Sequence, residues 1–289
     1  MVLRLLQNYW ALIFVFGVQI LAAPKTAAFE LSLGNSLSST SRTQTLSFSH
    51  RFLENQKVNL SMSSSKDTSI VTDGSASSVK GNYSYRFSDS GLSLKLGAKK
   101  SNDYYFYESL GSDVKFSLPV YEMEREAQSS LTTRLIFMVD SQSKQYLKLS
   151  NESFFQNSIN FGVEQDLTTE WSVGLDSTFY FYSTNSKETT AAFQAKTTPF
   201  TDISDYVNQT SKTALGIDVE YAIDDFSAGL TLTKSIPQVA GQSSFTSFDI
   251  FIEHAFFETF TANLNFSRGR TEGSSTTSDS WGFGFGWSP

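Results

Sequence analysis

The stretch Ser280-Trp281-Gly282-Phe283-Gly284-Phe285-Gly286-Trp287-Ser288-Pro289 constrains the fold more than any other part of the chain. Aromatic residues hold every second position and glycines fill the gaps. Successive side chains of a strand point to opposite faces, so one face carries four large rings and the other is bare. In water, a flat apolar strand of this kind is a template for aggregation. In a bilayer the same pattern is coherent, with the rings against lipid or the interfacial girdle and the bare face lining an interior. Backbone groups in hydrocarbon must pair with one another, so the sheet has to close. A partner for this strand must then come from the start of the mature chain.

The segment resembles the C-terminal strand of bacterial outer-membrane β-barrels, with Ser288 and Pro289 following the last aromatic. The resemblance is to a porin-like architecture and not to one family. It implies a Gram-negative outer-membrane protein surrounded by outer-membrane lipids. It also implies that Trp281, Phe283, Phe285 and Trp287 form an insertion signal read by the barrel-assembly machinery.

Residues 1–28 have the pattern of a secretory signal peptide. Arg4 supplies a basic n-region, and Tyr9 to Ala23 is an apolar run broken only by Gly17 and Gln19. Pro24 and the small residues Thr26-Ala27-Ala28 follow, which places cleavage before Phe29, with a site after Ala22 as the alternative. An uncleaved anchor is the rival reading, but the run is short for a span of about 20 residues. The chain thus divides into a leader, 1–28, and a barrel, 29–289. With no cysteine there is no lipid attachment site, disulfide or thiolate metal site.

A period of two runs through the rest. Phe29, Leu31 and Leu33 alternate with polar or small residues, as do Leu46, Phe48, His50 and Phe52, and then Val58, Leu60 and Met62. Val79, Tyr83, Tyr85 and Phe87 lead into the turn Ser88–Gly91, and Leu92, Leu94 and Leu96 return. Later come Trp171 to Phe181, Leu215 to Tyr221, Phe226 to Leu232, Phe248 to His254 and Phe260 to Phe266. The middle is less regular. Val114 to Val120 is a candidate strand containing Pro119, and the polar stretch Glu122–Ser130 separates it from Leu135. Residues 145–151 and 158–165 read as two short strands or one interrupted pair, 189–197 alternate weakly, and Thr198–Ser211 reads as a loop. The expected fold is all-β, a single closed antiparallel transmembrane barrel of about 14–16 strands, 14 being the natural even number below a count of sixteen. A soluble sandwich would leave too much ring surface exposed, and a β-helix would show a tighter repeat.

The opposite parity is polar and mostly small. Its charges divide along the chain: Lys80, Arg86, Lys95, Lys99, Lys115 and Arg134 come first, then Glu164, Asp176, Asp218, Glu220, Asp249 and Glu253. Since strands adjacent in sequence are adjacent around the wall, a basic sector would face an acidic one. The result is either a transverse field across a pore or a set of charges that neutralise one another in a blocked barrel.

Catalysis has little to work with. His50 and His254 are the two histidines, and both fall on the apolar parity beside turns, where an imidazole substitutes for a girdle aromatic. Barrel enzymes set a His beside Ser or Asp near the outer surface, and neither histidine here has that setting. Asp218 and Glu220 share a face, as ordinary pore lining does. Gly282-Phe283-Gly284 has no following helix to hold a phosphate, and Asp202–Asp205 and Asp224-Asp225 lack EF-hand spacing. Tyr104 to Tyr107 form an aromatic cluster near a loop. With 22 Lys and Arg against 29 Asp and Glu the chain has a net charge of −7, and loss of Arg4 and Lys25 with the leader makes the remainder more acidic still. That argues against nucleic acid. The sequence thus predicts a pore for passive diffusion of small solutes or ions, with no catalytic residue, cofactor or metal. A non-conducting structural or surface-interaction barrel is the alternative, and a lipid-modifying outer-membrane enzyme the third reading.

Overall fold

A computed structural model describes residues 28–38, 41–67, 75–88, 90–103, 107–125, 129–146, 153–182, 211–237, 243–256, 259–275 and 277–288. The strands are β1 (Ala28–Ser38), β2 (Ser41–Leu53), β3 (Gln56–Asp67), β4 (Ser75–Arg86), β5 (Ser93–Asp103), β6 (Tyr107–Arg125) and β7 (Ser129–Tyr146). The second half comprises β8 (Ser153–Asp166), β9 (Trp171–Tyr182), β10 (Ser211–Ile223), β11 (Phe226–Pro237), β12 (Phe245–Phe256), β13 (Phe260–Thr271) and β14 (Thr277–Trp287). Each pairs antiparallel with its sequence neighbours, and β1 pairs with β14, so the sheet is a closed barrel. Closure is what the final strand requires: Leu31 faces Trp287, Leu33 faces Phe285 and Leu37 faces Trp281.

The strand ends Ala28 and Trp287 lie at the same end of the barrel as the tight turns Glu54-Asn55, 87–92, 167–170 and 224–225; this is called the turn end below. There the ladder continues into the turns. Arg86 N donates to Asn55 O, Ala222 N to Glu170 O, Ala255 N to Asp225 O, and Ser288 N to Thr259 O, at 2.7–2.8 Å. Asp224 takes a left-handed backbone, with φ of 47°, a conformation that Asp tolerates better than most residues.

Directly paired residues share a face of the sheet, so the register assigns the described side chains to the outer or the inner face. Outward positions are apolar over a band bounded on β14 by Trp287 and Trp281, roughly 20 Å along the strand. Beyond Trp281 the outer face turns polar, where Arg268 makes a bidentate pair with Asp279 at 2.9 and 2.8 Å and lies 5.6 Å from the Phe266 ring.

The structure departs from the sequence reading in the middle of the chain. The described residues form fourteen strands, within the expected 14–16, and β6 and β7 are longer than the alternation suggested. Much of Glu122–Ser130 is strand: β6 runs on to Arg125, which pairs with Ser129 at the start of β7, and 126–128 lie outside the described residues. The ladder tolerates Pro119 because the register shifts between Pro119 and Tyr121, a bulge that re-aims the strand. Residues 145 and 146 belong to β7 and 158–165 to β8. The segments 189–197, 198–210 (with Asp202–Asp205) and Tyr104–Phe106, and the leader up to residue 27, lie outside the described residues.

Candidate functional site

The inner wall is built from the parity opposite the rings. On β4 to β6 it is basic. Lys80 faces Lys99, and Lys95 faces Lys115, two like-charged pairs directly across neighbouring strands, an arrangement that costs stability unless relieved. Relief comes from Asp113, buried opposite Gly97 between the two pairs, and from Asp140, whose Oδ2 is 3.9 Å from Lys99 Nζ. A Cβ at Gly97 would overlap the Asp113 carboxylate, so glycine is what lets that counter-charge lie against the wall. Arg86 also has inward parity, opposite Ser93. Lys57, which the sequence reading passed over, joins it opposite Arg51 and Ser84, and the alternation of Val58 and Leu60 already assigns it to that face.

On β8 to β12 the wall is acidic, and its pattern differs. One row across the strands reads Glu164, Gly174, Asp218, Thr231, Asp249. A neighbouring row places Asp176 between Gly162 and Gly216. Each of these carboxylates therefore faces glycine or a hydroxyl instead of another carboxylate. The carboxylate of Asp218 occupies the space a Cβ of Gly174 would need, and that of Asp176 the space at Gly216. Asn160 Nδ2 donates to Asp176 Oδ2 at 2.9 Å. Glu220 and Glu253 share the inward parity, opposite Gly229 and Ser227.

Arg134 does not extend the basic sector. Its Nη1 donates to Glu164 Oε1 at 2.9 Å and to Asp166 Oδ1 at 3.4 Å, so it is held within the acidic wall near the turn end. Pairing of β7 with β8 brings Arg134 opposite Glu164, which reading the charges in chain order alone does not reveal.

The third sector, β13, β14 and β1, is nearly neutral. Asn263 lies over Gly284, Asn265 over Gly282 and Thr261 over Gly286. The bare face of β14 is thus the floor on which β13 side chains lie flat. Against the expectation of a mostly small inner face, β12 points Phe245 and Phe251 inward, over Gly269 and Gly229.

On the outer face, Trp281, Phe283, Phe285 and Trp287 all point away from the lumen, with Trp281 64% and Phe285 61% exposed. At the turn end the rings form a belt. Trp171 meets Tyr221 at 4.8 Å, Tyr221 meets Phe226 at 6.4 Å, and Phe226 pairs with His254. The belt continues through Phe256, Phe260 and Trp287 to Phe29, His50 and Phe52. Both histidines stand in it. His254 is edge-on to Phe256 at 4.4 Å and its Nδ1 donates to Asp225 O at 3.1 Å. His50 is edge-on to Phe52 at 4.3 Å and only 3% exposed, and neither ring nitrogen has a hydrogen-bond partner among the described residues.

A closed antiparallel barrel of fourteen strands, ringed outside and polar within, is the architecture of bacterial outer-membrane β-barrels. Comparison with solved structures agrees. Over 90% of this chain and 88% of the other, the CymD monoaromatic hydrocarbon channel superposes with a TM-score of 0.51 at 8% identity. CdiB from Acinetobacter baumannii superposes at 0.53 and 11% identity, over 92% of this chain and 60% of CdiB. At such identities the likeness is one of fold. No family model and no curated protein matches the sequence.

Proposed function

We propose that the chain is an outer-membrane pore through which small polar solutes and ions diffuse passively, without catalysis. The observation that carries this reading is the inner wall, with lysines on β4–β6, carboxylates on β8–β12 and a neutral, glycine-floored sector between. Side chains laid over glycines keep the wall low, and low-dielectric walls of opposite sign produce a field that sorts and orients solutes. In this reading Lys80, Arg86, Lys95, Lys99, Lys115, Glu164, Asp176, Asp218 and Glu220 line the path. A non-enzymatic role is supported by the histidines, which pack among outward rings, away from the lumen. Residues 1–28 act as a cleaved export signal, outer-membrane lipids contact the aromatic face, and the assembly machinery reads β14.

Single-channel conductance of the purified protein in a planar bilayer tests the proposal. Discrete conductance steps are expected; a folded, inserted protein that passes no current would favour the non-conducting structural barrel.

A further inference from the structure

Phe251 is out of place on a polar inner wall, and its surroundings give it a use. It occupies β12 between Asp249 and Glu253, which share its inward parity at two residues on either side. One row across the sheet reads Glu220, Gly229, Phe251, Asn265, Gly282. A Cβ at Gly229 would collide with the ring's own atoms, so the ring lies over the glycine and remains 36% exposed. Part of the ring is thus open to the lumen, and the face of an aromatic ring carries the negative end of its quadrupole. Among the described residues of β11 to β14 and β1, no Lys or Arg has inward register: Lys234, Arg268 and Arg270 all share the outer face.

We infer that Phe251, floored by Gly229 and flanked by Asp249 and Glu253, is a binding station for small organic cations of the quaternary-ammonium or guanidinium kind. The inference rests on the pore reading for access but not for binding. An organic cation is weakly hydrated and apolar at its surface, so it exploits the ring face, while its charge exploits the two carboxylates. A hydrated inorganic cation gains little from the ring, and a neutral solute gains little from the acids.

Calorimetric titration of choline into the purified, folded protein in detergent tests the station directly, with 3,3-dimethyl-1-butanol as the uncharged isostere. Choline should bind and the alcohol should bind far more weakly. Phe251→Leu, which keeps apolar volume but loses the ring face, should weaken choline about fivefold. Asp249→Asn with Glu253→Gln should weaken it about tenfold and flatten its salt dependence. Should Phe251→Leu fail to fold, Gly229→Ala displaces the ring without altering it and should weaken choline likewise. Absence of choline binding, equal affinity for the alcohol, or unchanged affinity in the folded ring variant would overturn the inference. Conductance, measured separately, bears on the pore: binding without current sinks the pore reading and leaves the station, and current without binding does the reverse.

Discussion

The ring of Phe29, on the first strand, stands edge-on to that of Trp287, on the last, with centroids 5.4 Å apart and planes at 83°. This contact lies where β1 and β14 close the barrel, at the turn end. An edge-to-face pair is worth roughly 0.5–1.5 kcal/mol beyond its buried area. Trp287→Ala should therefore lower unfolding stability by about 1–2 kcal/mol and slow the appearance of the heat-modifiable folded band on a denaturing gel. Unchanged denaturation and assembly would show that the seam is held by its backbone ladder alone.

His50, set among Phe48, Phe52 and Phe29, buries two ring nitrogens that have no hydrogen-bond partner among the described residues. An unmade hydrogen bond on a buried polar group costs about 1–3 kcal/mol. His50→Phe should then stabilise the barrel by about 1 kcal/mol, measured by equilibrium denaturation from detergent or bilayer. His254→Phe, which gives up a bond to Asp225 O, should destabilise by about 0.5–1 kcal/mol. A destabilised His50→Phe variant would mean that those nitrogens have a ligand.

If the inner wall is the permeation path, Lys80, Lys95 and Lys115 changed together to Gln should shift ion selectivity toward cations. Asp176→Asn, Asp218→Asn and Glu220→Gln should shift it toward anions. Both shifts should shrink as salt rises, since the Debye length is about 8 Å at physiological salt. Reversal potentials under a salt gradient decide the matter, and unchanged selectivity in folded, conducting variants would remove these residues from the path.

At the turn 167–170, hydroxyl donation from Thr169 and Thr168 to the Glu170 carboxylate holds its pKa below the usual carboxylate range. A depressed carboxylate pKa stabilises the folded turn above the unfolded-state value, and that contribution is lost as pH falls through the folded one. Thr169→Val should return the Glu170 pKa toward its ordinary value, so the loss begins at higher pH. A side-chain carboxyl NMR titration checks this, and an unmoved midpoint would show that the Thr169 bond does not set it.

The wall and its two faces were legible from alternation alone, because a period of two is all that distinguishes lipid from lumen. Lys80 and Asp218 reach the inner face for the same reason that Val79 and Val219 reach the outer one. What alternation does not carry is registration between strands. That is why Arg134 read as basic lining although β8 gives it Glu164, and why the glycine floors under Asp176 and Asp218 were invisible. Polar residues also disguise a strand once it leaves hydrocarbon, as Glu122 and Glu124 do on β6.

That last segment fixes a depth. β5 pairs with β6 no further than Ser117, and β8 pairs with β7 no further than Thr133, yet β6 and β7 remain paired to Arg125 and Ser129. Past those points the ribbon's outer edges have no neighbouring strand among the described residues. The Thr132 amide still donates to Asp166 Oδ2 at 3.0 Å, but hydrocarbon offers the amides and carbonyls beyond it no partner. The bilayer core must therefore stop near the level of Ser117 on this flank of the barrel, as it does on the other flank at the belt running from Trp171 to Phe52. The ribbon is a waterline: wherever the protein sits, this piece stands wet, and the barrel cannot sink past it.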